Sequence, residues 1–326
     1  MDAQRSANEY AFFDLQPAQA DDLAELVAGL QQAQKRVSPK FFYDAAGSQL
    51  FDQITQLEEY YLTRTEMALF DRHHDQIAEA LRGSANASCL VEYGSGSSAK
   101  VRRLLEALRP AAYLPVDISA DHLQTAARQL HADYPWLRVY PTCADFTRAF
   151  ALPDVVAEMD KAGFFPGSSI GNFDPLHAVD FLVNVTRTLG QGSKLLIGVD
   201  LKKDPAVLNA AYNDRQGVTA RFNLNLLRHL NARYRAGFIL ENFVHHAAYN
   251  EGEGCIQMFL ESRVAQSVTL ARQTIEFAAG ERIHTENSFK YTPEEFAHIA
   301  TQSGFAVSFV WVDERRWFGV FLLDVL

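Results

Sequence analysis

A glycine-rich turn after a short apolar run is the segment with the clearest chemical pattern. The run 89–93 leads into Gly94-Ser95-Gly96, and glycines at a strand-to-helix turn allow tight curvature and the close approach of a ligand. A dinucleotide fingerprint needs another glycine three residues after Gly96, where Ala99 stands. Some dinucleotide sites accept alanine there, so the glycines leave the ligand open. Glu92, just before the turn, favours a ligand with a positively charged amino group over a pyrophosphate.

Acidic residues also follow the next two predicted strands. Asp117 ends the second strand, where an ionised carboxylate can accept hydrogen bonds from two ribose hydroxyls; a helix-capping role is the alternative. Asp145-Phe146 follows the third strand, where the carboxylate can accept from an adenine amino group and the ring can pack on the adenine face. Three acidic positions after successive strands match S-adenosylmethionine (SAM) better than NAD, and we predict SAM as the cofactor.

The elements that must position these residues alternate between strand and helix from residue 88 to residue 200. Apolar runs predict the strands, and helical periodicity predicts the helices between them. The alternation implies parallel pairing and a doubly wound α/β sheet, to which a C-terminal hairpin adds an antiparallel pair. The predicted strands are 89–93, 112–117, 137–140, 161–165, 194–200, 306–312 and 317–325, and the predicted helices are 99–108, 119–132 and 174–189.

Outside this region the two kinds of pattern no longer alternate. Thr63 is the expected N-cap of a helix, because Glu66 follows three residues later as in a capping box. The aromatic-rich segment 41–48 is predicted to be irregular. The other predicted helices and strands are helices at 17–36, at 62–82 and over most of 204–235, and strands at 238–244 and 255–262.

This change of pattern predicts two domains. Residues 83–200 together with 291–326 are expected to form the cofactor-binding core. Residues 1–82 are expected to form the N-terminal helical part of a substrate-binding domain, which the insert 201–290 completes.

Composition excludes several classes of protein. The chain has 30 Lys and Arg against 40 Asp and Glu, a net charge of −10, whereas affinity for nucleic acid depends on neutralising phosphates with basic residues. The same balance argues against a polybasic membrane-surface protein, and no apolar run reaches the ~18 residues that span a bilayer. No CxxC or HxxxH spacing indicates a metal site, and the amino terminus lacks a secretory signal pattern. We expect a cytoplasmic monomer that acts on a small molecule, without metal, nucleic acid or membrane.

Several longer blocks have no generic structural role and resemble a single family. They are 43–48, 50–52, 59–66, 92–100, 165–173, 200–204, 211–214, 217–223, 285–290 and 317–318. In these blocks the chain resembles the histidine Nα-methyltransferases, which make hercynine in ergothioneine biosynthesis. The resemblance covers almost the whole chain beyond residue 36. It implies a Rossmann-like class I methyltransferase sheet with a second, substrate-binding domain built from the N-terminal helices and an insert.

The resemblance also implies which residues bind SAM. Lys100, in the helix after the glycine turn, matches a SAM-binding residue of the family, and so do four of the positions described above. The complete set of predicted cofactor-binding residues is Glu92, Gly94, Gly96, Lys100, Asp117, Asp145 and Phe146.

The substrate-binding residues are likewise implied by the resemblance. Residues that match Tyr60, Asn172 and Tyr212 hold the α-carboxylate and amine of the amino acid in that family, and residues that match Glu286 and Ser288 hold its imidazole. Tyr43 and Phe51 belong to the entrance motif and are expected to line the same site.

Three residues depart from the family pattern. Tyr93 replaces a frequent leucine and Leu62 a frequent proline, and both changes are expected to alter packing only. Asn287 replaces a small apolar residue between Glu286 and Ser288, and we expect it to bear on substrate selectivity.

The reaction that the resemblance implies is SAM-dependent Nα-methylation of L-histidine, with three successive transfers to give hercynine. One alternative is an Nα-methyltransferase for another aromatic amino acid or a modified histidine, but the Glu286 carboxylate suits an imidazole N–H better than an indole pocket. A non-catalytic SAM-binding protein is the alternative from another class. Taken singly, Tyr60 could also be a core aromatic, Asn172 a turn residue and Glu286 an exposed strand residue.

Overall fold

The structure, a computed structural model, describes residues 9–15, 19–82, 88–96, 99–148 and 150–326. Its α-helices are α1 (Gln19–Leu30), α2 (Ala45–Ile54), α3 (Tyr61–Arg82), α4 (Ala99–Leu108), α5 (Ala120–Asp133), α6 (Pro175–Leu189), α7 (Pro205–Tyr212), α8 (Val218–Tyr234) and α9 (Pro293–Gln302). Its strands are β1 (Phe13–Asp14), β2 (Cys89–Tyr93), β3 (Ala112–Asp117), β4 (Arg138–Val139), β5 (Thr142–Cys143), β6 (Lys161–Phe165), β7 (Lys194–Asp200), β8 (Phe243–Asn250), β9 (Cys255–Ser262), β10 (Gln266–Leu270), β11 (Gln273–Phe277), β12 (Arg282–Phe289), β13 (Phe305–Val312) and β14 (Phe318–Val325).

The chain divides into two compact units. The sheet unit contains the described residues of 1–16, with Leu62–Lys202 and Tyr291–Leu326. The insert unit contains the described residues of 17–61, with Lys203–Lys290.

One mixed sheet forms the centre of the sheet unit. Its strands lie in the order β1-β5-β3-β2-β6-β7-β14-β13, and β4 also pairs with β3. Neighbours from β1 to β7 are parallel, whereas β14 is antiparallel to both β7 and β13. The chain order reverses between β2 and β6, and in such sheets ligands bind beyond the carboxyl ends of the strands at this point. The predicted Rossmann-like α/β sheet with an antiparallel C-terminal hairpin is confirmed.

The central strands are continuous apolar runs because both faces of the sheet are covered. All residues of β2 are buried, and so are all but the first residue of β6 and β7. Parallel strands between layers of helices have this pattern, and α5 and α6 pack against β3 and β6. The predicted limits of these strands agree with the structure residue for residue. None of the described helices is both long and apolar enough to cross a bilayer.

The insert unit combines helices with antiparallel strands. β12, β9 and β8 form a sheet in that order, and β10 pairs with β11 as a separate hairpin. Helix α2 packs on α8, and α7 and α8 pack on β8. The strand β12 lies at the end of this strand order, beside β9, and His284 also forms a backbone bridge to Arg36.

The expectation that the aromatic-rich segment 41–48 is irregular is wrong, because the segment contains the end of a 3-10 turn, Pro39–Phe42, and the first turn of helix α2. Asp44 caps this helix by accepting a hydrogen bond from the Gly47 N–H at 2.7 Å, and the Asn225 side chain donates to the same oxygen at 2.8 Å. A Cβ atom at position 47 would lie 1.7 Å from the Phe42 carbonyl oxygen, so the close approach requires glycine. The Asp44 cap and the close packing of Gly47 against the Phe42 carbonyl fix the conformation of this segment. Neither contact can be predicted from helical periodicity.

Helix α3 begins at Tyr61, so the expected N-cap at Thr63 is wrong. Thr63 lies in the first turn, and Glu66 makes long-range contacts instead of closing a capping box. From Leu62 onward α3 belongs to the sheet unit, as does β1, which pairs with β5. The expected domain boundary near residue 82 differs from the structure, because these contacts join segments that are far apart in the chain.

Candidate active site

The glycine turn after β2 has the backbone conformation that its sequence predicts. Gly94 and Gly96 have φ values of +70° and +42°, in the left-handed region that glycine adopts without strain. A Cβ atom on Gly94 would meet the Phe146 ring at 3.6 Å. The turn thus places a bare stretch of backbone beside a half-buried aromatic ring, as a cradle for a flat ligand requires. The serines at positions 97 and 98 lie outside the described residues.

Asp117 links the end of β3 to this turn. Its Oδ2 accepts from the Gly96 N–H at 3.4 Å, and its Oδ1 accepts from the Ser119 N–H at 3.0 Å, just before α5. Burial raises the pKa of Asp117, although these two N–H groups oppose the shift. The alternative role of Asp117 as a helix cap is therefore correct for Oδ1, which bonds to Ser119 just before α5. The other oxygen, Oδ2, bonds to the glycine turn, where the strand order of the sheet reverses.

Asp145 and Phe146 follow β5, the next strand outward from β3. Asp145 is buried, and its Oδ1 accepts from the Thr147 N–H at 3.1 Å and from the Thr147 hydroxyl at 2.6 Å. Phe146 packs edge-on against Tyr93 and Phe165. These contacts hold Asp145 and Phe146 at the carboxyl end of the sheet. Tyr93, which we expected to alter packing only, contacts the Phe146 ring.

Glu92 is buried within β2. The Tyr113 hydroxyl donates to its carboxylate, and burial raises the pKa of Glu92 to about 8, with Lys100 opposing the shift and Asp117 reinforcing it. The Glu92 carboxyl group therefore interacts electrostatically with Lys100 and Asp117, which are also predicted cofactor-binding residues. A contact between Glu92 and a ligand amino group remains a prediction.

Glu66 joins helices α3 and α4 to the loop after β6. Its carboxylate is fully buried and pairs with the Lys100 ammonium on α4. It also accepts from the Gly167 N–H, at 2.9 Å and 3.1 Å to its two oxygens. An ammonium carries three N–H donors, so the pair with Glu66 leaves Lys100 able to bind a ligand carboxylate as well.

Asn172 ends a 3-10 turn, Ser169–Asn172, in that same loop. Ser168, with φ of +62°, accepts from the Asp200 N–H through its Oγ at 2.8 Å. A non-glycine residue in this region of φ is uncommon, and such residues cluster at functional sites. The loop therefore presents a half-buried Asn172 beyond β6, where the sheet reverses its strand order. The turn interpretation of Asn172 is correct, and its contact with a substrate remains a prediction.

Four predicted substrate residues of the insert unit form one chain of ring contacts. Tyr43 packs edge-on against Phe51, Phe51 against Tyr60, and Tyr60 against Tyr212, with centroids 6.1 Å, 6.3 Å and 6.3 Å apart. Phe222 on α8 contacts both Tyr43 and Phe51. The core interpretation of Tyr60 holds in part, because its ring is buried. The same packing brings three tyrosine side chains, Tyr43, Tyr60 and Tyr212, into one cluster.

Ser288 and Glu286 lie on the same face of β12, two residues apart, and both are buried. The Tyr212 hydroxyl donates to the Ser288 Oγ at 2.7 Å, which joins the aromatic chain to this strand. Burial raises the pKa of Glu286 to about 7, and Lys290 opposes the shift. The interpretation of Glu286 as an exposed strand residue is wrong, since only 8% of it is exposed.

Asn287 faces away from these two residues. Its Oδ1 lies 2.7 Å from the His284 Nε2, because a bulge between His284 and Glu286 shifts the alternation of β12 and places residues 284 and 287 on one side. Asn287 thus packs on the opposite face of β12 from Glu286 and Ser288, and its effect on substrate selectivity remains a prediction.

Two residues at these positions were missed by the sequence analysis. Lys290 is 1% exposed and bonds to Ser288 and Tyr212, and Glu66 is the buried partner of Lys100. The spacing by two of the polar residues at 286, 288 and 290 was the available signal for Lys290, because alternate residues of an extended chain share a face. No local pattern distinguishes Glu66 from a capping residue.

Known proteins resemble this chain over most of its length. The profile of a family described as SAM-dependent, histidine-specific methyltransferases matches residues 22–325. The chain is 41% identical to the histidine N-alpha-methyltransferase of Mycolicibacterium smegmatis over 93% of this chain and 96% of that protein. It is 37% identical to the protein of the same name from Mycobacterium tuberculosis, over 91% and 93%. It is 34% identical to ergothioneine biosynthesis protein 1 of Neurospora crassa, over 80% of this chain and 30% of that protein. The chain therefore belongs to the family of SAM-dependent, histidine-specific methyltransferases.

Proposed function

We propose that the protein transfers methyl groups from SAM to the α-amine of L-histidine, three times in succession, to give hercynine. The observation that carries the substrate assignment is the buried polar face of β12, where Glu286 and Ser288 lie beside the Tyr212 hydroxyl. A carboxylate and a hydroxyl on one face match the two nitrogens of an imidazole ring. Family membership supports the same substrate.

The α-carboxylate of the substrate needs hydrogen-bond donors, and the proposed donors are the Tyr60 hydroxyl and the Asn172 amide. The Tyr212 hydroxyl donates its proton to Ser288, so Tyr212 is proposed to hold the amine by accepting from one of its N–H groups. The two tyrosines pack against each other in the insert unit, and Asn172 lies in the loop after β6 of the sheet unit. The Tyr43 and Phe51 rings continue the same aromatic cluster and supply apolar contacts for the substrate.

The residues beyond β2, β3 and β5 fit SAM. The positive φ values at Gly94 and Gly96 leave backbone without side chains next to the Phe146 ring, which suits adenine packing. Asp117 supplies acceptors for the ribose hydroxyls, Asp145 supplies an acceptor for the adenine amine, and Lys100 supplies a donor for the carboxylate of the methionine part. When bound, SAM supplies an electrophilic methyl group on its sulfonium.

The protein's own contribution to the reaction is to orient and desolvate the amine. Only the neutral amine has a lone pair, and burial lowers the pKa of an ammonium group, so removing the amine from water favours its reactive form. Tyrosine hydroxyls and the Asn172 amide orient the amine without a strong base. Correct positioning at about 3–3.5 Å supplies roughly 7–11 kcal/mol of barrier reduction.

Three transfers require an anchor that methylation does not alter. Each methyl group replaces an N–H donor and adds volume, whereas the carboxylate and the imidazole stay the same through all rounds. Binding through Tyr60, Asn172, Glu286 and Ser288 therefore lets the enzyme hold histidine and its mono- and dimethylated forms alike. The sequence stops at three because a quaternary nitrogen has no lone pair.

A substrate panel tests this proposal. The protein is incubated with labelled SAM and each of the twenty amino acids separately, and the products are identified by mass. We expect label in histidine, with a final mass increase of three methyl groups. Label in tryptophan or another aromatic amino acid in place of histidine would support that alternative substrate, and binding of SAM without any product would support the non-catalytic alternative.

A further inference from the structure

A buried lysine lies behind the residues proposed to bind imidazole. Lys290 follows β12 and is 1% exposed, and its Nζ lies 2.7 Å from the Ser288 Oγ and 3.2 Å from the Tyr212 hydroxyl. The same Nζ stands 5.1 Å from the centroid of the Tyr212 ring. Lysine is almost never fully buried unless it is paired, so this placement calls for a role.

The contacts of Lys290 determine how the two hydroxyls are oriented. An ammonium is a donor only, so both hydroxyl oxygens accept from Lys290. The Tyr212 hydroxyl lies 2.7 Å from the Ser288 Oγ and donates to it. The Ser288 oxygen then accepts from both Lys290 and Tyr212, which occupies its two lone pairs. The only remaining hydrogen-bonding capacity of Ser288 is its own O–H donor.

The face of β12 therefore presents one donor and one acceptor. Ser288 donates, and the Glu286 carboxylate, on the same face two residues earlier, accepts. A neutral imidazole has one N–H donor and one bare nitrogen acceptor, whereas an imidazolium has two donors and an indole or pyrrole has one donor and no acceptor. Buried polar groups that find no counterpart in a ligand lower its affinity.

We propose that Lys290 is a positioning residue that fixes Ser288 as a hydrogen-bond donor and thereby makes the site selective for the neutral imidazole ring of histidine. This inference rests on the proposed function, in which Glu286 and Ser288 hold the imidazole. Without Lys290, the Ser288 hydroxyl regains a lone pair and can rotate, so it accepts as readily as it donates. The requirement for a bare ring nitrogen is then relaxed.

The test compares histidine with the two positional isomers of pyrrolylalanine, each of which keeps one ring N–H and replaces the other nitrogen with CH. The ratio of kcat/KM for histidine to that for the better isomer is measured in the wild-type protein and in Lys290→Met, which is similar in length and apolar. We expect the wild type to prefer histidine by about ten-fold or more, the effect of losing a hydrogen bond in a buried site. In Lys290→Met the preference falls by about ten-fold, while SAM affinity by calorimetry stays the same.

The matched control is Lys35→Met, which removes a lysine of the same unit that pairs with Glu281 and lies over the Phe277 ring. It should leave the preference as in the wild type. A folded Lys290→Met protein that binds SAM and keeps the wild-type preference overturns the inference. If Lys290→Met does not fold, Lys290→Leu, which also lacks a donor, serves instead: a reduced preference supports the inference, and an unchanged one overturns it.

Failure of the proposed function gives a different result. In that case the wild-type protein does not methylate histidine, or Glu286→Gln uses histidine as efficiently as the wild type. An unchanged preference in Lys290→Met together with a loss of histidine activity in Glu286→Gln overturns the role of Lys290 alone.

Discussion

Glu286 shows how far a single residue can be interpreted from its sequence. The resemblance assigns it to the imidazole, whereas its neighbours alone allowed an exposed strand residue. It is buried in a strand that pairs with β9, where Met258 lies beside it, and no pattern within residues 285–290 predicts that burial. The type of residue was predictable, and its environment was not.

Removing this carboxylate should affect the substrate and leave the cofactor. In Glu286→Ala we expect kcat/KM for histidine to fall by about 10- to 150-fold, which corresponds to about 1.5–3 kcal/mol for a hydrogen bond to a charged group. Calorimetric affinity for SAM should not change. Glu261→Ala, on β9 and paired with Arg282, is the control that should keep its activity. Histidine methylation at wild-type efficiency in Glu286→Ala would remove Glu286 from the imidazole site.

Asp117 is the residue on which the ribose assignment depends. Asp117→Ala should weaken SAM binding by about 1–3 kcal/mol, because it loses hydrogen bonds to a charged group. Because Asp117 also accepts from the Ser119 N–H, a thermal melt must accompany the calorimetry to separate binding from stability. Asp133→Ala, at the other end of α5 and paired with Arg102, should bind SAM normally. Equal affinity in Asp117→Ala and the wild type would contradict the assignment.

Glu92 gives a pH dependence of stability with a definite sign. Burial raises its pKa in the folded protein from 4.5 to about 8, so between these values the folded state binds a proton that the unfolded chain has lost. The contribution of Glu92 to the free energy of unfolding is present below about pH 4.5 and is lost as the pH rises through 8. When the free energy of unfolding is measured by denaturation at several pH values in this range, it should decrease less steeply with rising pH in Glu92→Gln than in the wild type. Glu281→Gln, whose carboxyl pKa is lowered beside Lys35, is the control and should retain the wild-type slope.

At the scale of elements, the parallel strands were predictable because burial on both faces leaves a continuous apolar run. The antiparallel strands of the insert unit were harder to predict from the sequence. The strand predicted from residue 238 begins at Phe243, because the Phe238 N–H bonds to the Asn231 side chain and a 3-10 turn, Leu240–Asn242, intervenes. These side-chain contacts stop the strand without changing its hydrophobic pattern.

The Glu66 carboxylate connects three segments of the sheet unit, because it lies on α3 and bonds to Lys100 on α4 and to Gly167 in the loop after β6. Removing one partner of a buried pair is costly, so Glu66→Gln should lower the melting temperature and weaken SAM binding through the loss of the charge that holds Lys100. Asp71→Asn is a matched control on the same helix, since Asp71 pairs with Arg103 of α4 at the surface. We expect little change in that variant. Wild-type SAM affinity in a folded Glu66→Gln would show that Lys100 needs no such partner.

At the scale of the whole molecule, the chain separates into a sheet unit and an insert unit that are each built from distant segments. The change from alternating to mixed pattern after residue 200 predicted the start of the insert closely, since the division falls between Lys202 and Lys203. The assignment of α3 and β1 could not be predicted, because it depends on the pairing of β1 with β5 and on the partners of Glu66. That the insert unit binds the amino acid remains a proposal.

The central claim is that the enzyme holds its substrate through groups that methylation leaves unchanged, and dimethylhistidine tests it most directly. The protein is supplied with Nα,Nα-dimethylhistidine and SAM, and the mass of the amino acid is followed over time beside a parallel reaction with histidine. The account predicts conversion to the trimethylated product at a rate at least equal to that of the first transfer to histidine, and no further mass increase. Dimethylhistidine that stays unmodified while histidine gains a single methyl group would contradict it, because anchoring would then depend on the amine N–H groups.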